Sequence, residues 1–126
     1  MLRDLLEREV GVYGAGRLAA QGPDVVLVPE QALAMSMVIH ELATNAAKHG
    51  AFLGVDGAVR AEWRVADGSL HFTWRETGGP PVTPPAERGF GLDLIEGQIV
   101  HQLDGSMRED YSVDGFALSL QFPGRN

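Results

Sequence analysis

Cysteine is absent from the sequence. This absence excludes disulfides, thiolate metal sites and a cysteine nucleophile, and it argues against a structural zinc site. No apolar run approaches the roughly 20 residues that a membrane-spanning helix needs, and the N-terminus lacks the pattern of a signal peptide. We therefore expect a cytoplasmic chain without direct membrane contact.

Basic residues are also scarce. The 126 residues include 10 Lys and Arg against 17 Asp and Glu, for a formal net charge of −7, and Lys48 is the only lysine. Because the basic residues are scattered along the sequence, nucleic acid is disfavoured as the main ligand. The length and the mass of 13.6 kDa predict a single domain over residues 1–126, with enough core to fold without covalent reinforcement.

Hydrophobic periodicity predicts three helices and six strands. Helices are expected over residues 2–10, 29–49 and 92–103, and strands over residues 17–20, 25–28, 58–65, 70–76, 107–111 and 116–122. Residues 77–88 hold four prolines and two glycines, so a loop is expected there. Because each element has one apolar face, we expect helices packed on one side of a mixed sheet, which is an α+β sandwich.

The long central helix has few polar positions near its C-terminal end. Glu41, Asn45 and Lys48 follow the i, i+4, i+7 spacing that places residues on one helix face. A carboxylate, an amide oxygen and an ammonium in a row suit a hydrated Mg²⁺ and the phosphates that it carries. An ordinary solvated stripe on the helix surface is the alternative, and the spacing alone does not exclude it.

Two glycine-rich turns add to this pattern. Glu76 continues the apolar face of its strand and is followed by Gly78, whose missing Cβ allows a flat ligand to come close. A carboxylate there could accept a hydrogen bond from an exocyclic amine such as that of adenine. Gly89 and Gly91 open the third helix, where free N–H groups bind anions, and Arg88 adds positive charge. Glycines that only serve the turns are the alternative.

The sequence resembles a known family in three places. Residues 40–50, HELATNAAKHG, look like the N-box of the ATP-binding domain of HWE-type sensor histidine kinases, which belong to the GHKL ATPase superfamily. Residues 74–81, WRETGGPP, resemble the W-x-E first glycine box of that group. Residues 88–91, RGFG, followed by LIE at 94–96, resemble its second glycine box. The similarity extends from about residue 2 to residue 123.

This resemblance implies the Bergerat ATP-binding fold, a mixed sheet under about three helices, with ATP and Mg²⁺ as cofactors. By position, Asn45 would be the Mg²⁺ ligand, Lys48 would contact phosphate and Glu76 would bind the adenine amine. Gly78, Gly89 and Gly91 would let the nucleotide come close to the backbone. Arg88 would add positive charge near the phosphates.

Further roles follow from the same resemblance. Glu41 occupies the position of a general base in related ATPases and would here help to activate the attacking imidazole. His40 is expected to contact the phosphate side, and a hydrogen-bonded helix residue that supports the site is the alternative. His49 stands where a tyrosine is usual and is assigned to the nucleotide site, and Asp93 stands where an arginine is common. These two departures could change ring packing near the phosphates and the contacts of the lid.

The implied reaction is transfer of the γ-phosphate of Mg·ATP to a histidine on a separate dimerisation and phosphoacceptor domain, with a response regulator downstream. Nothing in the sequence resembles that acceptor domain. We therefore expect a catalytic domain that is excised or stands alone, is monomeric and barely autophosphorylates. The short lid with its four prolines is expected to move less than the long lids of other histidine kinases.

Alternative interpretations remain. A protein-serine kinase of the anti-sigma type shares the implied fold, and an adaptor could keep the fold without binding nucleotide. A phosphoacceptor role for His40 is disfavoured because Asn45 replaces the proline expected in such a box. A dinucleotide site is disfavoured because its glycine motif should follow a strand. His71 and His101 receive no role.

Overall fold

The computed structural model describes residues 1–14, 16–80, 90–112 and 114–124, with Phe90 described only in its backbone. The elements along the chain are α1 (Leu2–Gly11), β1 (Leu18–Gln21), α2 (Pro29–His49), a short 3₁₀ turn (Ala51–Leu53), β2 (Ala58–Ala66), β3 (Ser69–Thr77), α3 (Phe90–Gly97), a π turn (Gln98–Gln102) that continues α3, β4 (Ser106–Ser112) and β5 (Gly115–Pro123).

The strands form one mixed sheet in the order β1-β2-β3-β5-β4. β1 runs parallel to β2, and the other neighbours are antiparallel. Asp67 and Gly68 both adopt positive φ, which suits the tight turn between β2 and β3. Side chains in β2, β3 and β5 alternate between buried and exposed, so one face of the sheet is covered and the other is open.

The helices cover the apolar face of this sheet. α2 packs against both α1 and α3, and its buried side chains include Met35, Ile39 and Leu42. These residues join Phe72 and Trp74 of β3 in one hydrophobic core. The expected α+β sandwich, a mixed sheet with three helices on one face, is confirmed. Along the described residues, no helix combines the length and apolarity needed to cross a membrane.

Most predicted elements are present, but the strand expected over residues 25–28 is not. The segment between β1 and α2 is an extended connection outside the sheet, and its carbonyls bond elsewhere. Val25 O accepts the backbone N–H of Leu2 at 3.1 Å, and Pro23 O accepts the indole N–H of Trp63 at 2.7 Å. The apolar residues of this segment therefore tie α1 to the sheet instead of adding a strand. The predicted loop lies outside the described residues from position 81 onward.

Candidate functional site

One corner of the candidate site lies where α2 meets the first turn of α3. Glu41 and Asn45 are partly buried on the same face of α2, and Lys48 follows them as an exposed residue near the helix end. A Cβ atom placed on Gly91 would lie 2.9 Å from Oε2 of Glu41 and 3.5 Å from Oδ1 of Asn45. A side chain at this point of α3 would therefore crowd Oε2 of Glu41, whereas Oδ1 of Asn45 would lie at an ordinary contact distance. The fold therefore brings together three of the residues that the sequence singled out.

The oxygen donors at this corner fit Mg²⁺. A carboxylate and an amide oxygen are hard ligands, and Mg²⁺ is held by one or two protein oxygens while it keeps several waters. Within the described ranges, no three His, Cys, Asp or Glu side chains converge as a closed metal site requires. Asn45, with the carboxylate of Glu41 beside it, would thus hold the ion on one side and leave its other positions open.

Glu76 forms a second corner at the C-terminal end of α2. Its side chain is 3% exposed at the end of the apolar face of β3. The backbone N–H of Ala51 donates to Oε1 at 3.1 Å, and the indole N–H of Trp74 donates to Oε2 at 3.0 Å. Burial raises the pKa of the Glu76 carboxyl above its ordinary value, and these two hydrogen bonds oppose that shift. The carboxylate is held in one orientation by donors from two directions.

Glycines surround this second corner. A Cβ atom on Gly50 would collide with Oε1 of Glu76, and a Cβ atom on Gly79 would lie 2.6 Å from Cα of Ala51. Gly78 has a φ of 78°, a left-handed conformation that glycine adopts without strain. The turn after β3 therefore packs closely against the end of α2 and holds the carboxylate there. At 1.5 Å per residue, Asn45 and Gly50 lie about 8 Å apart along the helix axis, which separates the two corners.

The remaining predicted residues lie elsewhere or outside the described ranges. Nδ1 of His40 is 3.0 Å from Oε2 of Glu9 in α1, and the His40 side chain is 61% exposed. The fold thus places His40 on the α1 flank of α2 and does not bring it to the corner at Gly91. His49 is exposed at the end of α2. Arg88 and Gly89 lie outside the described residues.

No contact between Trp74 and the candidate site was predicted from the sequence, although the two-residue spacing of Trp74 and Glu76 indicates one. Residues two apart on a strand share a face, so Trp74 and Glu76 are neighbours on the core side of β3. The approach of the Ala51 N–H and of Gly50 could not be read from spacing, because it depends on how α2 ends against the sheet.

Several known proteins are similar to this chain. A blue-light-activated histidine kinase of Rhizobium johnstonii is 32% identical over 126 aligned residues, which cover 97% of this chain and 36% of that protein. Blue-light-activated histidine kinase 1 of Erythrobacter litoralis is 38% identical over 113 residues, which cover 86% of this chain and 31% of that protein. The chain therefore spans about one third of the length of these relatives. No family model matches the sequence.

Solved structures agree on the fold. The histidine kinase domain of the Erythrobacter litoralis EL346 blue-light activated histidine kinase superposes with a TM-score of 0.76 at 22% identity, covering 97% of this chain and 58% of that chain. A nucleotide-free form of the catalytic domain of histidine kinase ThkA gives a TM-score of 0.74 at 15% identity, covering 98% of this chain and 92% of that chain. The predicted resemblance is thereby confirmed. The chain is homologous to part of the blue-light-activated histidine kinases and has the fold of a histidine kinase catalytic domain.

Proposed function

We propose that this chain binds Mg·ATP between α2, the start of α3 and the turn after β3, and donates the γ-phosphate to a histidine on a separate dimerisation and phosphoacceptor domain. The observation that carries the proposal is the convergence of Glu41, Asn45 and Gly91, with the buried carboxylate of Glu76 nearby at the C-terminal end of α2. The names of the relatives, which are histidine kinases, support the same reaction class.

The corner at Gly91 takes the phosphate end of the nucleotide. Mg²⁺, when bound, neutralises charge on the phosphate oxygens and on the group in transfer. Asn45 holds it through the amide oxygen, and Glu41 lies beside it, where its carboxylate can also orient the attacking imidazole. The ammonium of Lys48, one turn further along α2, balances phosphate charge, and His49 and Arg88 are assigned to nucleotide binding as the resemblance implies. His40 takes no part in this proposal because its ring pairs with Glu9.

The corner at Glu76 takes the adenine. Each oxygen of the carboxylate accepts one hydrogen bond within the chain and retains a second lone pair. Adenine presents an amine donor at C6, whereas guanine presents a carbonyl oxygen at that position. A guanine would therefore place an acceptor against an acceptor in a buried setting, so we propose that Glu76 selects adenine. Gly78 allows the base to approach the backbone of the turn.

Calorimetry with Mg·ATP tests the binding step. Wild type is expected to bind Mg·ATP with a Kd in the micromolar range, to lose most of that affinity when EDTA is added, and to bind Mg·GTP at least about tenfold more weakly. Asn45→Ala should lose the metal-dependent part of the ATP affinity, while its melting temperature stays near that of wild type. Ser36→Ala, on α2 but about two and a half turns before Asn45, is the matched control. Absence of heat with wild type would overturn the proposal in favour of an adaptor without nucleotide.

Phosphotransfer is tested by adding a separately expressed acceptor-bearing helical domain from one of the relatives. The chain with Mg·ATP is expected to label that domain with acid-labile phosphate, which is typical of phosphohistidine, and to label itself barely at all. Acid-stable label on serine would instead indicate the serine kinase alternative. Rapid labelling of the chain itself would contradict the need for a separate acceptor.

A further inference from the structure

The open face of the sheet collects basic residues that are far apart in the sequence. Four of the ten basic residues of the chain lie in the outward phase of β2, β3 and β4, and all four are exposed: Arg60, Arg64, Arg75 and Arg108. Only two carboxylates, those of Glu62 and Asp110, share this phase in the same strands. In a chain with a net charge of −7, this face therefore differs in sign from the rest of the molecule.

The strand register opposes like charges on this face. Arg60 lies directly across from Arg75. Like charges at directly opposite positions of antiparallel strands destabilise a sheet, so the fold gains nothing from this arrangement. Arg60 has only a long ion pair of 3.8 Å with Glu62, and in the described part of the chain Arg64, Arg75 and Arg108 make no salt bridge. An anion bound over these strands would relieve the repulsion.

A groove runs along the same face. Its volume is about 490 Å³, and its walls include Arg64 of β2 and Arg108 of β4. Thr73 of β3 and Ser119 of β5 lie between these two walls, and their short side chains form the bottom of the groove. Three strand spacings separate β2 from β4, or roughly 14 Å, which accommodates an extended polypeptide or a helix. The groove lies on the opposite side of the sheet from α2 and from the proposed nucleotide site.

We infer that this open sheet face docks an acidic segment of a second protein, whose carboxylates pair with Arg64, Arg75 and Arg108. Guanidinium groups bind carboxylates through two parallel hydrogen bonds, which gives such a surface orientation as well as charge. Nucleic acid fits less well because all six Phe, Tyr and Trp residues of β2–β5 lie on the core face, so the groove offers no such ring for base stacking.

Fluorescence anisotropy with a labelled peptide of alternating Glu and Ser, about 20 residues long, tests this inference. Alternate residues of an extended chain recur every 7 Å or so, close to the spacing of outward residues along the strands. The chain should bind this peptide with an affinity that falls as salt is raised, and it should not bind the same peptide with Gln in place of Glu. Arg64→Gln/Arg108→Gln should weaken binding at least about tenfold.

Arg8→Glu is the matched control, because it lowers the net charge by the same two units at an exposed position of α1. It should change the peptide affinity less than about twofold, and equal losses in the two variants would show general attraction and overturn the docking site. Tighter binding of single-stranded DNA or of anionic vesicles would also overturn it, as would self-association that the double variant abolishes. Calorimetry with Mg·ATP should give the same result for both variants and wild type, which keeps this test separate from that of the nucleotide site.

Discussion

The indole N–H of Trp74 donates a hydrogen bond to Oε2 of Glu76 at 3.0 Å, and both side chains are buried on the core face of β3. The alternation of a strand places residues two apart on one face, so this contact is local to the strand. The tryptophan thereby orients a carboxylate that lies among apolar residues, and the Ala51 N–H fixes its other oxygen. The bond stabilises the ionised form that the proposed adenine contact requires.

Trp74→Phe should loosen this carboxylate. The variant loses a hydrogen bond to a charged group, and we expect about 2 kcal/mol less free energy of unfolding. If Glu76 binds adenine, the preference for Mg·ATP over Mg·GTP should also fall, and the pKa of Glu76 should rise further. Nucleotide calorimetry and urea unfolding over a range of pH values measure these effects.

Trp63→Phe is the control for Trp74→Phe. Trp63 donates its indole N–H to Pro23 O at 2.7 Å, on the β1 side of the sheet. Both variants lose one indole hydrogen bond and a similar volume, but only the change at Trp74 touches Glu76. A loss of nucleotide preference in both variants, or in neither, would contradict the positioning role of Trp74.

The pH dependence of stability gives a second test of the buried carboxylate. Because burial raises the pKa of Glu76 in the folded chain, the unfolded chain loses this proton at a lower pH. The contribution of this group to stability is therefore complete below the unfolded pKa and is lost as the pH rises through the folded pKa. Glu76→Gln should remove this fall, so the difference in unfolding free energy between wild type and variant should change with pH across that window.

Urea unfolding at a series of pH values measures that difference. Glu7→Gln, at an exposed position of α1, controls for the removal of a carboxylate that lies in water. A difference between wild type and Glu76→Gln that stays constant from acidic to neutral pH would show that Glu76 is not perturbed by burial.

Gly91→Ala tests the corner between α2 and α3. The added Cβ atom would lie 2.9 Å from Oε2 of Glu41, so that carboxylate must move or α3 must shift away. We expect the affinity for Mg·ATP to fall about tenfold or more, with a change in unfolding free energy of about 1 kcal/mol or less. Gly97→Ala, at the other end of α3, meets nothing within 4 Å and should leave nucleotide binding intact. Equal nucleotide affinity in both variants would remove Gly91 from the site.

Much of the fold could be predicted because most elements carry their own periodicity. α2 and the strands β2, β3 and β5 each bury the face that their sequence pattern indicated. The error at residues 25–28 has a different origin, since an apolar run predicts an extended segment but not the partner of its backbone. In the folded chain Val25 O accepts the N–H of Leu2 in α1, and no local pattern encodes that partner.

The candidate site divides in the same way. The spacing of Glu41 and Asn45 along one helix, and the inward phase of Glu76, are local properties and were visible in the sequence. The approach of Gly91 and the donation from Ala51 depend on packing between elements, so only the structure reveals them. The arginines of the open sheet face were described as scattered because their proximity arises from the strand register, which brings residues 60 and 75 side by side.

At His40, the prediction made from the N-box resemblance differs from the contact observed in the fold. The resemblance places this histidine toward the phosphates, whereas the structure pairs its ring with Glu9 at 3.0 Å, in a largely exposed position. An exposed pair of this kind contributes about 1 kcal/mol or less, so His40→Gln and Glu9→Gln should each cost little, and a double-mutant cycle should assign that small energy to the pair. Neither variant should change the affinity for Mg·ATP more than about twofold, because neither side chain reaches the corner at Gly91. If His40→Gln alone lowered that affinity tenfold, the ring would have to leave Glu9 and contact the nucleotide, and the assignment drawn from the N-box would hold instead.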